Sequence, residues 1–178
     1  MVPRATGSGT QAAAPWAGIG GLKTQDLIQA GTAEDALPSL FFGNQYFAWY
    51  ELLPNAEVRL HGCKGDSPCN LKPGNHMSVK ISSLGANRWR IAVRNAGHWS
   101  WSKTVSYHSA RSSAEWILES PMCGARLTLA DVGTVHFGPT SKYTSGAAAR
   151  TIRQGNPVNI ILTGQAKPSP LAPQRPVI

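Results

Sequence analysis

Short apolar stretches recur about every ten residues along this chain, each closed by turn residues, and that spacing restricts its fold more than any other feature. The candidate strands are residues 26–30, 46–53, 57–60, 77–82, 88–94, 101–107, 114–119, 126–129, 134–137 and 158–162. Between them stand Pro54-Asn55, Pro73-Gly74-Asn75, Gly85-Ala86-Asn87, Asn95-Ala96-Gly97 and Gly155-Asn156-Pro157, residues that preset or tolerate turn conformations. No segment keeps a 3.6-residue apolar period over three turns, so helices are not expected. With 18 glycines and 13 prolines in 178 residues, the chain reads as an all-β sandwich or barrel.

That length suits one domain. Residues 1–14 are small and polar and read as an irregular segment, 15–166 as a single β domain, and 167–178 as a Pro-rich irregular tail. The opening residues lack the apolar core of a signal peptide, and no run approaches the roughly 18 apolar residues of a membrane helix.

Seventeen Lys and Arg outweigh nine Asp and Glu, a net charge of +8. The charges are dispersed. Arg88, Arg90 and Arg94 come nearest to a cluster, and strand alternation sets them on one face opposite Trp89, Ile91 and Val93. A solvated outer face is the expectation, with no nucleic acid and no membrane as partner. Cys63 and Cys69 flank the turn sequence KGDSP. Their spacing, even with His61 and His76 nearby, fits no standard zinc pattern, leaving a small disulfide loop or free thiols.

In a chain so poor in acids, SSAEWILESP places Glu115 and Glu119 within one strand-like segment. Alternation points both the same way, about 13 Å apart along the strand, too far to share a proton as an aspartic dyad does. The same distance defeats a glycosidase pair built on this strand alone. A catalytic glutamate here needs a partner from elsewhere in the chain. Gln29, in LIQAGT, offers an amide, and AWYELLP adds Trp49, Tyr50 and Glu51, while PWAGIGG adds Trp16.

Taken in order, PWAGIGG, LIQAGT, AWYELLP, SSAEWILESP and LADVGTVHF resemble the glutamic peptidases, the eqolisin family, from about Val2 to about Leu171. The resemblance implies a two-sheet antiparallel β-sandwich of concanavalin-like form, here without the outermost strands of the family pattern. It carries the catalytic glutamate to Glu115 and the catalytic glutamine to Gln29. It places Trp16, Trp49, Tyr50, Glu51 and Glu119 at the substrate cleft. Gly20 stands where the family continues with an aspartate.

The implied activity is endopeptidase action in acid on a polypeptide substrate, by a secreted monomer, with no metal, no cofactor and no covalent intermediate. The residue types suit that chemistry. A carboxylate can take a proton from water and return it to the departing amine, and an amide N–H can hold the oxyanion. The alternative is a sandwich that binds peptide or glycan without catalysis, using Trp16, Trp49, Trp99 and Trp101 as contact surfaces.

Overall fold

The computed structural model describes residues 1–7, 9–37, 43–123 and 125–160. The tail 167–178 lies outside the described residues, as does the end of the candidate strand 158–162. The chain falls into two compact units, Met1–Val135 and His136–Ile178.

The first unit is a β-sandwich. One sheet follows the order β11 (Thr128–Leu129), β1 (Gln11–Gly20), β2 (Leu27–Ala36), β3 (Gln45–Leu52) and β4 (Val58–Arg59), and β8 (Ala114–Glu119) also pairs with β1. Neighbouring strands run antiparallel, apart from the short β1–β11 contact. The other sheet is β5 (Met77–Gly85), β6 (Arg88–Asn95) and β7 (Trp99–Ser106), antiparallel throughout. The unit also holds the short β9 (Met122–Cys123) and β10 (Ala125–Arg126) pair.

The sheets meet through Ile28, Ala30, Ala48 and Tyr50 on one side and Trp89, Ile91, Val93 and Trp99 on the other, all buried. Fully burying a large apolar side chain of this kind contributes on the order of 1.5–3 kcal/mol. Strand β6 alternates, Arg88, Arg90 and Arg94 outward and Trp89, Ile91 and Val93 inward, as its sequence implies. Cys63 and Cys69 close the KGDSP turn as a disulfide.

The start of the chain departs from expectation. Residues 11–14, read as irregular, belong to β1, the strand that both β2 and β8 flank. Ala12, Ala13 and Ala14 are buried there, small enough to sit between covered faces. Ahead of them Val2 exchanges backbone hydrogen bonds with Gly74 and Asn75, and Thr6 bridges to Asp131.

Candidate strand 134–137 and residues 158–160 carry no strand. In the second unit a hairpin of β12 (Lys142–Ser145) and β13 (Ala148–Thr151) leads into a 3-10 turn, Ile152–Gln154. Its small, polar sequence gives no alternation by which to foresee it.

Candidate active site

Strand register assembles the site. Glu115 on β8 lies opposite Gly18 on β1, Gly18 opposite Gln29 on β2, and Gln29 opposite Glu51 on β3. One step along, Ile117, Trp16, Gly31 and Trp49 form the next row. Alternation turns these side chains away from the inter-sheet core, onto the outer face of the larger sheet. Glu119, opposite Ala14, shares that face.

At about 4.8 Å per strand spacing, the backbones of Glu115 and Gln29 stand roughly 10 Å apart. As they stand, the Glu115 carboxylate lies beside Ser113 and Gly21 and the Gln29 amide is turned to Glu51, so the two groups meet only if their long side chains swing toward the glycine between them. Gly18 has no room for more: a Cβ there would come 2.9 Å from Trp16 Cζ3 and 3.0 Å from Leu27 Cδ1. The Trp16 ring and the Leu27 methyl therefore form an apolar floor between a carboxylate and an amide. Trp16, Leu27, Ala33 and Trp49 are all buried around it.

Each polar group is held separately. Gln29, 5% exposed, donates through Nε2 to Glu51 Oε2, and its Oε1 is buried with no partner. Trp16 Nε1 donates to Glu119 Oε2 at 2.8 Å. Ser113 Oγ lies 2.9 Å from both the Gly20 carbonyl oxygen and Glu115 Oε1. One hydroxyl proton serves one acceptor at a time, so Ser113 can donate to ionised Glu115 or accept from its protonated form.

Burial pushes the Glu115 carboxyl above its ordinary pKa, countered in part by the Ser113 hydroxyl and the Leu22 N–H. Glu51 rises by burial and by the charge of Glu119, against the Gln29 hydrogen bond. Glu57 is pushed up to about 7 by partial burial and by the Glu51, Asp35 and Glu119 carboxylates. Since residue 57 is exposed, crowding by like charges is the sounder of those causes. The face thus gathers carboxyl groups that hold protons more tightly than free ones.

The structure brings Glu115, Gln29, Glu51, Trp16, Trp49 and Glu119 to one face. Tyr50 is a correction. It occupies the other face of β3, within the inter-sheet core, with its ring stacked on Trp101 and its hydroxyl accepting from Lys103 Nζ at 2.9 Å. One-residue alternation separates it from its neighbours Trp49 and Glu51. Trp99 is likewise buried in that core, its Nε1 donating to the Asn70 carbonyl at 2.6 Å, so it offers no contact surface.

Three participants went unnoticed in the sequence. Ser113 stands two residues before Glu115, the same-face spacing of a strand, and that was the available signal. Gly18 and Leu27 had none, because their part lies in cross-strand register. Leu27 is fixed from just past the end of β7: the Tyr107 hydroxyl accepts its N–H at 2.8 Å and donates to the Leu53 carbonyl at 2.6 Å. Position 20 is glycine by necessity, with φ +91° and only 2.3 Å between a would-be Cβ and the Asp26 carbonyl oxygen.

The sequence profile of the Peptidase A4 family matches residues 1–169. No curated protein matches the chain. Among solved structures, aspergilloglutamic peptidase from Aspergillus niger is similar over 87% of this chain and 89% of its own, with TM-score 0.73 and 23% identity. Scytalido-glutamic peptidase, solved with a peptide-based transition-state analogue, is similar over 92% and 80%, with TM-score 0.71 and 21% identity. SCP-B, a member of the eqolisin family of peptidases in complex with the tripeptide Ala-Ile-His, is similar over 92% and 79%, with TM-score 0.63 and 19% identity. At these identities the likeness to solved structures establishes a common fold.

Proposed function

The chain belongs to the peptidase A4 family, and from that premise we propose that it is an acid-acting endopeptidase whose working pair is Glu115 and Gln29. The observation that carries the reading is the cross-strand row Glu115, Gly18, Gln29, Glu51, which sets a carboxylate and an amide on either side of a position without a side chain.

In this reading a water molecule lies between Glu115 and Gln29 above the Trp16–Leu27 floor, donating one hydrogen bond to Gln29 Oε1, an acceptor without a partner that must turn out of its buried position to meet it. Ionised Glu115 takes the water's other proton as its oxygen bonds to the scissile carbonyl carbon. The carbonyl oxygen becomes an oxyanion. Glu51 occupies one N–H of the Gln29 amide and so orients it, leaving the second N–H for that oxygen. Glu115 then returns the proton to the amide nitrogen as the C–N bond breaks, and the amine leaves neutral. Ser113 can follow both states of Glu115 by reversing its hydroxyl.

Acid action is supported by the carboxyl-rich face. Glu51 and Glu57 hold protons above the ordinary range, so low pH relieves the repulsion among them that a polypeptide substrate would otherwise bury. Secretion is the setting we infer, because the Cys63–Cys69 disulfide suits an oxidising compartment. We take the protein to act as a monomer.

The experiment is digestion of an unfolded protein substrate across pH 2 to 7, a range that lets the raised Glu115 carboxyl ionise, with the native chain, Glu115→Gln and Gln29→Ala. Cleavage by the native chain and its collapse in both variants is the expected result. Equal cleavage by all three would remove the proposal.

A further inference from the structure

The outer face of the β5–β6–β7 sheet carries a second pattern, one that peptide hydrolysis does not use. The cations of that face lie in register. Arg88, Arg90 and Arg94 point outward from the central strand, and Lys80 on β5 stands opposite Ala92, filling the gap between Arg90 and Arg94. At about 3.3 Å per residue, this makes four positive steps roughly 6.6 Å apart along the strand direction.

Hydroxyls flank them. Arg94 lies between Ser78 and Ser100, and Arg90 between Ser82 and Thr104. Arg88 stands opposite Ser106. All four cations are exposed, and none of the nine Asp and Glu residues of the chain lies on these three strands. The only side-chain hydrogen bond among the described residues that involves one of these cations runs from Arg90 Nη2 to Ser102 Oγ at 3.3 Å. Surface cations ordinarily intermingle with carboxylates. Here the acids Glu51, Glu57, Glu115 and Glu119 gather on or beside the other sheet instead, so the first unit is electrically two-sided.

We propose that this face docks the chain onto an acidic polysaccharide, whose sulfate or other anionic groups lie along the Arg88–Arg90–Lys80–Arg94 row. Guanidinium groups supply charge and paired donors, and the flanking hydroxyls supply further donors. The face has no outward aromatic side chain on which nucleic-acid bases could stack, and its one large exposed apolar side chain, Leu84 at the β5 bulge, is too small a patch to anchor in a bilayer. Three strands side by side form a broad surface, whereas the major groove of duplex DNA admits a helix or a two-stranded ribbon. A flexible anionic chain lying along the row meets none of these obstacles.

The probe is dextran sulfate, with neutral dextran, duplex DNA and phosphatidylserine vesicles as comparators, titrated at several salt concentrations. Saturable binding to dextran sulfate and none to neutral dextran is expected. The variant Arg88→Ser/Arg90→Ser/Arg94→Ser should bind roughly tenfold more weakly or worse, with a shallower salt dependence, because fewer counterions are released. The variant Arg4→Ser/Lys23→Ser/Arg59→Ser removes the same charge from exposed positions of the first unit outside these three strands and should bind like the native chain. Equal weakening in both variants, undiminished binding in the first, or tighter binding to DNA or vesicles than to dextran sulfate would overturn the proposal. If the triple variant fails to fold, Arg90→Gln/Arg94→Gln gives the same reading with the side-chain stems retained.

Discussion

The two sheets of the first unit bury their residues in different ways. Strand β6 alternates outward and buried residues, with only Ala92 half-buried among the outward ones, whereas β2 buries nine of its ten residues. The smaller sheet meets solvent on its outer face and fills that face with Arg, Lys, Ser and Thr. The larger sheet is covered on both faces at β2, by the inter-sheet core beneath and by Trp16, Leu27 and Trp49 above. A strand covered twice loses its polar alternation, and any polar group it retains must be held by specific partners. That is the position of Gln29 and of Glu34, and the reason this sheet, and not its partner, can tune a carboxylate or an amide for chemistry.

The sharpest way to break the contrast is to remove the two polar groups that the larger sheet sets on either side of Gly18. Glu115→Gln preserves shape and removes the base, and a loss of about 10²- to 10⁴-fold in kcat/KM is expected. Gln29→Ala removes one oxyanion donor, for which a loss on the order of 10²- to 10³-fold is expected. Rates measured on a chromogenic peptide at fixed acid pH check both. A loss below tenfold in either variant would return the face to a binding role.

Reading from sequence succeeded where one face is wet. Arg88 to Arg94 announced their own faces, and the strands around them fell close to their expected places. It failed at β1, where QAAAPWAGIG contains mostly alanine, glycine and proline in place of the β-branched residues that mark a strand. Those small residues are there because the strand is crowded from both sides, and crowding is a tertiary fact. Glu115 and Gln29 were legible through an ordered set of motifs. Gly18 between them was not, since two strands must first pair before position 18 becomes the gap. Tyr50 was misplaced because AWYELL was read as a run of site residues, whereas a strand sends every second one inward.

Glu34 tests the covered sheet by its pH response. The residue is 0% exposed, Thr32 Oγ1 donates to its Oε1 at 2.6 Å, and its Oε2 is buried with no partner. Burial pushes its carboxyl up to about 8, and the nearby Asp35 charge adds to the rise, while the Thr32 hydroxyl and the Met1 ammonium oppose it. The folded chain therefore holds a proton that the unfolded chain releases near 4.5, the ordinary value. Its contribution to stability is complete below that pH and is lost as pH climbs toward 8, at about 1.4 kcal/mol per unit. Glu34→Gln is expected to flatten this slope, so that the variant gains on the native chain as pH rises from 5 to 8. Urea unfolding midpoints across that range measure it, and parallel slopes for the two proteins would refute it.

Ser113→Ala probes the same sheet more gently. Ser113 donates to Glu115 only when the carboxyl is ionised, so its removal raises the Glu115 pKa further. A base must be ionised to act. The acidic limb of kcat/KM against pH is therefore expected to move to higher pH in the variant, with the plateau retained. An unshifted limb would detach the hydroxyl from the protonation of Glu115.

The smallest effect belongs to the wet face. Arg90 is exposed, and its one described hydrogen bond, to Ser102, is long and lies in water, where it adds little. Arg90→Ser is expected to change unfolding free energy by no more than about 0.5 kcal/mol, with peptide cleavage unchanged. Comparing its urea midpoint with that of Gln29→Ala is the direct form of the contrast. On the covered sheet, deleting Gln29 strands the Glu51 oxygen it held and opens a void, whereas deleting Arg90 leaves only water to fill its place. Similar losses of stability at the two positions would mean that burial on both faces is not what separates the sheets.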